Sequence, residues 1–437
     1  MTKLWQKETI EKQSNLQSKI ETFTIGSDKQ WDVYLAEADV LGSLAHAEML
    51  ASINLLSQDE FLKLKEALQA ILISIKKGEF IIEEGVEDVH SQIEIILTKE
   101  LGDIGKKIHS GRSRNDQSLV DIKLYIKQEL KEIAQETQKL FNKLIALSNQ
   151  YKNDLMPGYT HMQIAMPSSF GLWFGAYAES LSDDLELMIA AYNVANKNPL
   201  GSGAGYGSSF PLDRKKTTEL LEFEDLNYNV VYAQMTRGKT EKITSMALAG
   251  IAATLSKFSM DICLYMNQNF GFITFPPELT TGSSIMPHKK NPDVFELIRA
   301  KCNKIQALPN ELTLLINNLP SGYHRDMQLT KECLLPAIIG IKECLELLPL
   351  MLEHIQIKKN ILSDELYENL FTVEKVNELT LSGIPFRDAY KQVAQLIEQG
   401  DFKSNIKLLH THEGSIGNLC NEKIIDVFIE KISKILN

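Results

Sequence analysis

Three polar stretches of the chain hold most of the side chains that could perform acid–base chemistry on a negatively charged molecule. They cover residues 109–117, 156–163 and 281–293, and each contains one histidine together with serine or threonine. Each stands just before a run of residues with helical spacing. Because free N–H groups and the positive end of the dipole lie at a helix N-terminus, side chains placed there are suited to act on a carboxylate.

In the first stretch, Ser113 is followed three residues later by Asp116. This is the spacing of a capping box and predicts that a long helix begins here. The helix N-terminus would then face the same place as Arg112 and Arg114, which makes a carboxylate site. A solvated basic helix start explains the same residues equally well.

The second stretch contains His161, which can titrate near neutral pH and so exchange protons with a substrate. A single histidine in a loop is also commonly structural, and the residues alone leave that alternative open.

The third stretch is a glycine- and serine-rich loop with Lys289 and Lys290. Asn291 is predicted to cap the next helix, with Pro292 as its first residue and Asp293 as a first-turn acid. Loops of this composition often close over substrates, although a surface connector has a similar composition.

Other patterns indicate neither a metal nor a nucleotide. The glycine-rich segment 201–207 follows no predicted strand and lacks the GxGxxG spacing. His410 and His412 have no acidic or cysteine partner at ligand spacing, so we predict no metal site and no cofactor. The five cysteines form no CxxC pair, which favours a reducing cytoplasm over a disulfide framework; they are Cys263, Cys302, Cys333, Cys344 and Cys420.

Two long apolar seams predict the helices that position these stretches. Apolar residues recur there in steps of three and four, with only Thr137 interrupting the first seam. The seams are Leu119, Ile122, Ile126, Leu130, Ile133, Leu140, Leu144 and Leu147, and Phe170, Phe174, Tyr177, Leu181, Leu185, Met188 and Tyr192. Proline is absent before Pro157 and between Pro211 and Pro276, which favours long helices because an interior proline costs about 3 kcal/mol. The sequence therefore predicts an all-α protein with a long-helix bundle and no convincing sheet.

Glycine and proline divide the chain into three predicted helical domains. The first covers 1–105, the central long-helix bundle 106–350 and a small C-terminal domain 351–437. The first ends near Gly102, and the last contains a turn at 383–385.

The composition of the 437 residues excludes several classes of protein. A net charge of -11 argues against binding to nucleic acid or acidic membranes, although a local basic site can still hold an anion. The N-terminal stretch 1–13 is polar and unlike a signal peptide, and no apolar run approaches the ~20 residues of a membrane span. We therefore expect a soluble cytoplasmic protein.

Together these stretches resemble a known family. The sequence GSSIMPHKKNPDVFE, from Gly282 to Glu296, resembles the signature of the fumarase/aspartase superfamily. HSGRSRNDQ from His109, MPGYTHMQ from Met156 and EDVH from Glu87 resemble its argininosuccinate lyase branch. Segments 36–50 and 383–390 support the match, so the resemblance covers nearly the whole chain.

The resemblance implies a homotetramer built around the central helices, with each active site formed by three subunits. It implies that Ser283 is the base, His161 the general acid and Glu296 the acid that supports the histidine. Lys289 and Asn291 would stabilise charge on the substrate carboxylate. The substrate-binding positions are Ser27, with Asp28 as the alternative, His90, Arg114, Asn115, Thr160, Asn291, Tyr323, Gln328 and Lys331.

Two segments depart from the family pattern. His288 stands where argininosuccinate lyases usually have glutamine and adenylosuccinate lyases often have histidine. Segment 227–237 lacks the usual serine-aspartate-arginine pattern.

The expected reaction is β-elimination of argininosuccinate to arginine and fumarate, in arginine biosynthesis. The alternatives are adenylosuccinate lyase or another fumarate-releasing lyase, a crystallin-like structural protein on the same scaffold, and a helical scaffold without a ligand. The stretches around Arg112 and Tyr159 disfavour the first alternative, and an intact set of catalytic residues disfavours the structural ones.

Overall fold

The computed structural model describes residues 15–403, 408 and 410–437, so the polar stretch 1–13 lies outside the described residues. The described part consists mainly of α-helices, which confirms the all-α prediction. The first helices are α1 (Asn15–Ile25), α2 (Asp28–Asp32), α3 (Ala36–Ser52), α4 (Gln58–Lys76), α5 (Val89–Leu101) and α6 (Asp103–Lys107), with a 3₁₀ helix at Val33–Leu35.

The long helices follow, and their buried faces are the predicted ones. The middle of the chain forms α7 (Arg114–Gln150), α8 (Phe170–Ala195), α9 (Arg214–Leu220), α10 (Val230–Met235), α11 (Lys239–Met266), α12 (Asp293–Leu315) and α13 (Leu329–Leu352), with 3₁₀ helices at Pro277–Leu279 and Arg325–Gln328. Every residue of the two apolar seams is buried, and so is Thr137. Thr137 satisfies its hydroxyl within α7 by donating to the Ile133 carbonyl at 2.7 Å.

The C-terminal helices are shorter, as predicted. They are α14 (Thr372–Leu381), α15 (Phe386–Gln399) and α16 (Asn421–Leu436), preceded by 3₁₀ helices at Ile361–Ser363 and Glu365–Phe371. The turn at 383–385 separates α14 from α15, and Gly383 adopts a φ of 105° that side chains other than glycine rarely tolerate.

Three small two-stranded sheets interrupt the described helices, so the expectation of no sheet is wrong in detail. β1 (Leu155–Thr160) and β2 (Gln163–Ser169) form an antiparallel hairpin. The short pairs are β3 (Lys197–Asn198) with β4 (Asp225–Leu226), which are parallel, and β5 (Ile273–Thr274) with β6 (Gln356–Ile357), which are antiparallel. The hairpin escaped prediction because it has two prolines, a bulge after Pro157 and no Asn-Gly turn signal.

The chain divides into two compact units, each made of three segments. Unit 1 comprises 1–132, 187–249 and 304–340, and unit 2 comprises 133–186, 250–303 and 341–437. In unit 1, α3, α4 and α5 share an apolar core that includes Met49, Leu64 and Ile93. In unit 2, the rings of Phe141 and Phe428 stack with centroids 3.7 Å apart. The three-domain division remains a prediction.

One helix, α11, is long and apolar enough to cross a membrane by composition. Half of its most apolar window is buried inside the protein, and core helices of globular proteins pass the same test. The spacing of apolar residues from Ile243 to Tyr265 already indicates this helix, although polar residues interrupt the apolar run.

Candidate active site

A cavity of about 240 Å³ in unit 1 brings together most of the predicted substrate-binding residues. Its walls come from α2, the start of α5, the start of α7, the residues before α11 and the start of α13. The lining residues are Ile25, Asp28, Asp32, Glu87, Asp88, His90, Arg114, Asn115, Ser118, Arg237, Tyr323, Arg325, Gln328 and Lys331.

The start of α7 places three side chains in this cavity. The Ser113 hydroxyl accepts a hydrogen bond from the Asn115 N–H, and the Ser113 N–H donates to Asp116 at 2.8 Å. The capping interaction predicted here is thus confirmed. α7 begins at Arg114, whose side chain lines the cavity with those of Asn115 and Ser118.

The glycine-rich segment 201–207 holds this helix start in place. The second carboxylate oxygen of Asp116 accepts the N–H groups of Gly201 at 3.0 Å and Gly203 at 2.8 Å. Burial raises the pKa of Asp116 to about 6, against the lowering effect of these backbone hydrogen bonds. The glycines therefore allow the backbone to come close to the buried carboxylate of Asp116.

The two arginines of the first polar stretch, Arg112 and Arg114, make different contacts. The Arg114 guanidinium donates to Asp88 at 2.7 Å and to the Ser91 hydroxyl at 2.7 Å, which fixes it at the cavity wall. Arg112 is not part of the lining and donates to the Ser43 hydroxyl at 2.8 Å. Of the two arginines predicted to face one carboxylate site, Arg114 lines the cavity and Arg112 does not.

Lys331 supplies a buried positive charge at another wall. Its ammonium group contacts the carboxylates of Asp28, at 2.7 Å, and Asp32. Burial opposes the charge on Lys331, but the two carboxylates outweigh it and raise the pKa of the ammonium group. Burial raises the pKa of Asp28 even though Lys331 stabilises its anion.

The cavity is therefore lined by both signs of charge. Its carboxylates belong to Asp28, Asp32, Glu87 and Asp88, and its cations to Arg114, Arg237, Arg325 and Lys331. Such a lining suits a ligand that carries both ammonium or guanidinium groups and carboxylates.

His90 enters the cavity wall from the first turn of α5. Its Nδ1 lies 3.1 Å from an Asp39 oxygen and 3.5 Å from an Asp121 oxygen, and all three residues are buried. Burial opposes the imidazolium, but the Asp39 carboxylate outweighs it and raises the pKa of His90 to about 9.

His161 occupies the tip of the β1–β2 hairpin in unit 2. Thr160 pairs with Gln163, so His161 and Met162 form a two-residue turn with φ values of 53° and 60°. Two consecutive positive φ angles define a type I′ turn, which normally contains asparagine or glycine. The exposed His161 side chain is held on an energetically unfavourable turn, a feature that often marks functional sites.

Ser283 lies in an exposed loop of unit 2 before α12. Its Oγ accepts hydrogen bonds from the N–H groups of Ile285 at 3.3 Å and Met286 at 3.2 Å. Thr281 and Asn291 pair across the base of the loop through their backbones. Lys289 is exposed on the same loop.

The predicted cap of α12 is different in detail. α12 begins at Asp293, which accepts from the Thr281 hydroxyl, whereas the Asn291 amide donates to the Thr281 hydroxyl and the Gly282 carbonyl, both at 3.3 Å. Asn291 therefore closes the loop instead of capping the helix, because its side chain turns back across the loop base.

Six of the nine predicted substrate-binding residues line the cavity, and three do not. Ser27 lies beside the cavity-lining Asp28, but its hydroxyl contacts Glu332 instead. Thr160 and Asn291 belong to unit 2. Glu296 is also in unit 2, where its nearest cation is Arg299 at 3.9 Å, and no ion pair joins it to His161 within the described chain. The roles assigned to these residues remain predictions.

The sequence analysis missed Asp28 as a lining residue in its own right, as well as Asp32, Ser118, Arg237 and Arg325. Asp28 and Asp32 stand four residues apart on one helix face, which is a signal that could have been recognised. Arg237 was not predicted as a site residue because its segment, 227–237, departs from the family pattern. It is nevertheless buried and donates to Ser118 and to the Met327 carbonyl, both at 3.0 Å.

The expectation that His410 has no acidic partner is wrong. Glu374 lies 2.9 Å from its Nε2, because the fold brings together residues that are distant along the chain.

One group of side chains could hold a metal ion by its geometry. Among the described residues, the ligand atoms of Asp39, His90 and Asp121 lie within 4.8 Å of one another.

Comparison with known proteins gives a consistent result. A model of a lyase family matches residues 13–307. An argininosuccinate lyase from Phocaeicola vulgatus is 59% identical over 422 residues, covering 97% of this chain and 94% of that protein. Another from Thermotoga neapolitana is 38% identical and covers 90% of this chain and 98% of that protein. The chain belongs to the argininosuccinate lyase family.

Solved structures support the fold of this family member at much lower identity. An EDDS lyase in complex with formate has a TM-score of 0.75 at 19% identity, covering 95% of this chain and 90% of the other. A class II fumarase from Schistosoma mansoni has a TM-score of 0.74 at 15% identity, covering 94% of both chains. The match to a lyase family and the identity to argininosuccinate lyases confirm the fumarase/aspartase resemblance seen in the third polar stretch.

Proposed function

We propose that this chain cleaves argininosuccinate to arginine and fumarate, as a step of arginine biosynthesis. The observation that carries the proposal is its 59% identity to an argininosuccinate lyase over nearly the whole of both chains. The mixed charge of the cavity supports it, because argininosuccinate combines carboxylates with ammonium and guanidinium groups.

Ser283 is the proposed base that removes a proton from the carbon beside a substrate carboxylate. A serine hydroxyl is too weak an acid to be a base without help, so its alkoxide must be stabilised. The N–H groups of Ile285 and Met286 already point at its oxygen, and Lys289 on the same loop adds positive charge. Hydrogen bonds of this kind favour the anionic form.

His161 is the proposed acid that protonates the departing guanidino nitrogen. Its exposed position on a tight turn lets it reach a substrate held by other elements. Glu296 would make the histidine more basic once the two side chains meet, since a nearby carboxylate stabilises imidazolium.

Charge that builds on the substrate carboxylate in the transition state needs fixed donors. Lys289 and Asn291 are proposed for this role, with Thr160 beside the acid. Arg114, Asn115, Tyr323, Gln328 and Lys331 would hold the rest of the substrate, and Ser27 or Asp28 would complete that site. These groups suffice for the chemistry without a cofactor.

We infer that the working form is a homotetramer in the cytoplasm, with each site assembled from several chains. Long helices of the single chain leave large apolar side chains exposed, including Met260 at 46%, Leu297 at 62% and Leu350 at 58%. Exposed apolar residues on several helices are typical of an interface. The net charge of -11 makes nucleic acids and acidic membranes unfavourable partners.

The second candidate is cleavage of adenylosuccinate, and His288 favours it. His288 is exposed on the loop of Ser283, where it could contact a substrate after loop closure. This single residue is weak evidence compared with the 59% identity to an argininosuccinate lyase over 97% of this chain.

The test is to supply the purified protein separately with argininosuccinate and adenylosuccinate and follow fumarate by ultraviolet absorbance. We expect fumarate and arginine from argininosuccinate, at the same rate with EDTA present. Turnover of adenylosuccinate alone would contradict the substrate assignment. Loss of activity in EDTA, restored by a divalent metal, would contradict the absence of a metal requirement.

A further inference from the structure

Asp39, His90 and Asp121 form a buried Asp–His–Asp cluster behind the cavity wall. Both carboxylates are fully inaccessible to solvent, and both face Nδ1 of His90, at 3.1 Å from Asp39 and 3.5 Å from Asp121. The other ring nitrogen, Nε2, makes no hydrogen bond to the described residues, and the ring lines the cavity. One side of the imidazole is thus occupied by acids and the other is available to a ligand.

The two carboxylates are supported unequally. Asp39 also accepts from the Gln117 amide at 2.7 Å and from the Ser43 hydroxyl at 3.3 Å. Within the described part of the chain, neither oxygen of Asp121 has a hydrogen-bond partner, although the residue is completely buried. A buried carboxyl without partners is costly, so it calls for an explanation.

A metal ion in the cluster would explain the oxygens of Asp121, but the surroundings disfavour it. An ion would have to displace the proton on Nδ1 and break the Asp39–His90 contact. It would also add two positive charges beside the Arg112 guanidinium, which already stabilises the anion of Asp39. A protonated imidazole supplies the positive charge that the Asp39 anion needs without these costs.

We propose that Asp39 is a positioning residue that holds His90 as an oriented imidazolium, whose Nε2–H binds a carboxylate of the substrate. The inference rests on the proposed function and adds to it how the charge of His90 is maintained. Asp39 fixes the ring through Nδ1 and carries the negative charge. Burial and the Asp39 carboxylate raise the pKa of Asp121 well above its usual range, which favours the neutral form of Asp121 beside the same ring nitrogen.

Helix α7 couples the cluster to the cavity. Arg114, Ser118 and Asp121 stand at i, i+4 and i+7, and therefore lie along one face of the helix. The first two line the cavity, and the third lies one turn further along, behind His90. The same face thus supplies a direct cation and the acid that lies beside the ring of His90.

The test uses Asp39→Asn, which keeps the shape of the side chain and removes the anion opposite His90. The imidazolium acts on substrate and transition state alike, so its loss should raise KM and spare kcat. We expect KM for argininosuccinate to rise about tenfold in Asp39→Asn, with kcat changed less than about twofold, because a hydrogen bond to a charged group is lost. Asp121→Asn replaces a carboxyl whose neutral form is favoured, so it should change KM less than about twofold.

The dependence of KM on pH distinguishes a charge effect from a loss of structure. KM of the wild type should stay level from pH 6 to about 8, whereas in Asp39→Asn it should rise with pH as His90 loses its proton. The charged groups around the cluster are Asp32 on α2, Asp88 before α5, Arg114 on α7, and His109 and Arg112 between α6 and α7.

The matched control is Asp261→Asn in unit 2, which removes another enclosed carboxylate that accepts from Trp173 at 3.0 Å and Tyr177 at 2.6 Å. It should leave KM and its pH dependence unchanged. Thermal melting of all variants establishes that they are folded, and a Mn²⁺ titration of the wild type needs no variant.

Each outcome separates the two proposals. No fumarate from argininosuccinate with the wild-type protein would remove the proposed function itself. An active wild type with unchanged KM in folded Asp39→Asn would overturn the positioning role alone, and so would an equal rise of KM in Asp121→Asn. Stoichiometric Mn²⁺ binding that Asp121→Asn abolishes would also overturn it, in favour of a metal site.

Discussion

At the scale of single residues, the chemistry proposed here depends on a serine acting as a base. The hydroxyl of Ser283 is half-buried and accepts two backbone N–H groups, so its anion has stabilising partners before any substrate arrives. Its neighbour Ser284 is exposed on the same loop and offers a matched comparison.

We predict that Ser283→Ala lowers kcat by about 10³-fold, the usual contribution of a catalytic base, while argininosuccinate still binds. Binding survives because Arg114, Asn115 and Lys331 lie in the cavity of unit 1 and are untouched by the change. Calorimetry measures the binding, and fumarate absorbance the rate. Ser284→Ala should be nearly as active as the wild type; the reverse result would make Ser284 the base.

A second residue makes stability depend on pH. His46 is completely buried on α3, and its Nε2 lies 3.0 Å from the Ser110 carbonyl. Burial, followed by the charge of Arg112, lowers the pKa of His46 to about 3. In the unfolded chain the pKa is about 6.5, so between these values the unfolded state binds more protons. The contribution of His46 to the free energy of unfolding is therefore fully present above pH 6.5 and is lost as the pH falls toward 3.

We predict that His46→Gln, which can keep a donor for Ser110, makes the free energy of unfolding less dependent on pH. Between pH 6 and pH 4 the wild type should lose about 1.4 kcal/mol per pH unit more than the variant. Urea unfolding followed by circular dichroism at several pH values measures both slopes. Parallel slopes would mean that His46 is protonated in the folded protein.

At the scale of elements, the sequence was informative where a pattern repeats over several turns. The seams of α7 and α8 are buried throughout, and the cap at Ser113 is where its spacing placed it. It failed at the β1–β2 hairpin, because a type I′ turn at His161 and Met162 has none of the usual turn residues. A local pattern cannot reveal a conformation that the surrounding structure imposes against local preference.

The site was also predictable only in part, because some of its residues are brought together by contacts between distant segments. The family resemblance identified six cavity residues, three of them inside the quoted motifs, but it did not identify Asp32 or Arg325. Their positions depend on contacts between distant segments, such as Lys331 with Asp32. Nor does the spacing of His90 and Asp121 along the chain show that the two meet, because α5 and α7 must first pack together.

The hairpin gives a prediction about conformational strain. Met162 is 67% exposed and adopts a φ of 60°, so its side chain gains little from packing while its backbone is strained. Met162→Gly should raise the free energy of unfolding by about 0.5–1 kcal/mol, since glycine adopts this φ without cost. Thermal melting and urea unfolding measure the change. Met166→Gly in β2, where φ is not positive, should lower stability; stabilisation by both would show that the turn is not strained.

At the scale of the whole molecule, the proposed groups are spread over the chain. Arg114 begins α7, whose 37 residues correspond to a helix of about 55 Å, and the hairpin with His161 follows the other end of that helix. Ser283 stands on a separate loop before α12, and Glu296 has no ion pair with His161 among the described residues of one chain. A symmetric oligomer offers a way to bring such groups together, because antiparallel neighbours place one end of a helix beside the other end of its copy.

The last prediction tests this shared site directly. If His161 and Ser283 of one site come from different chains, then two inactive variants, His161→Asn and Ser283→Ala, should regain activity when they are unfolded and refolded together. In a randomly mixed tetramer each residue is intact with a chance of one half, so about a quarter of the sites should contain both. If the sites act independently, fumarate release measured per subunit should therefore approach about a quarter of the wild-type rate. Each variant refolded alone is the control and should stay inactive. If light scattering shows hybrid tetramers while the mixture remains as inactive as the controls, the two residues act within one chain and the shared-site model is wrong.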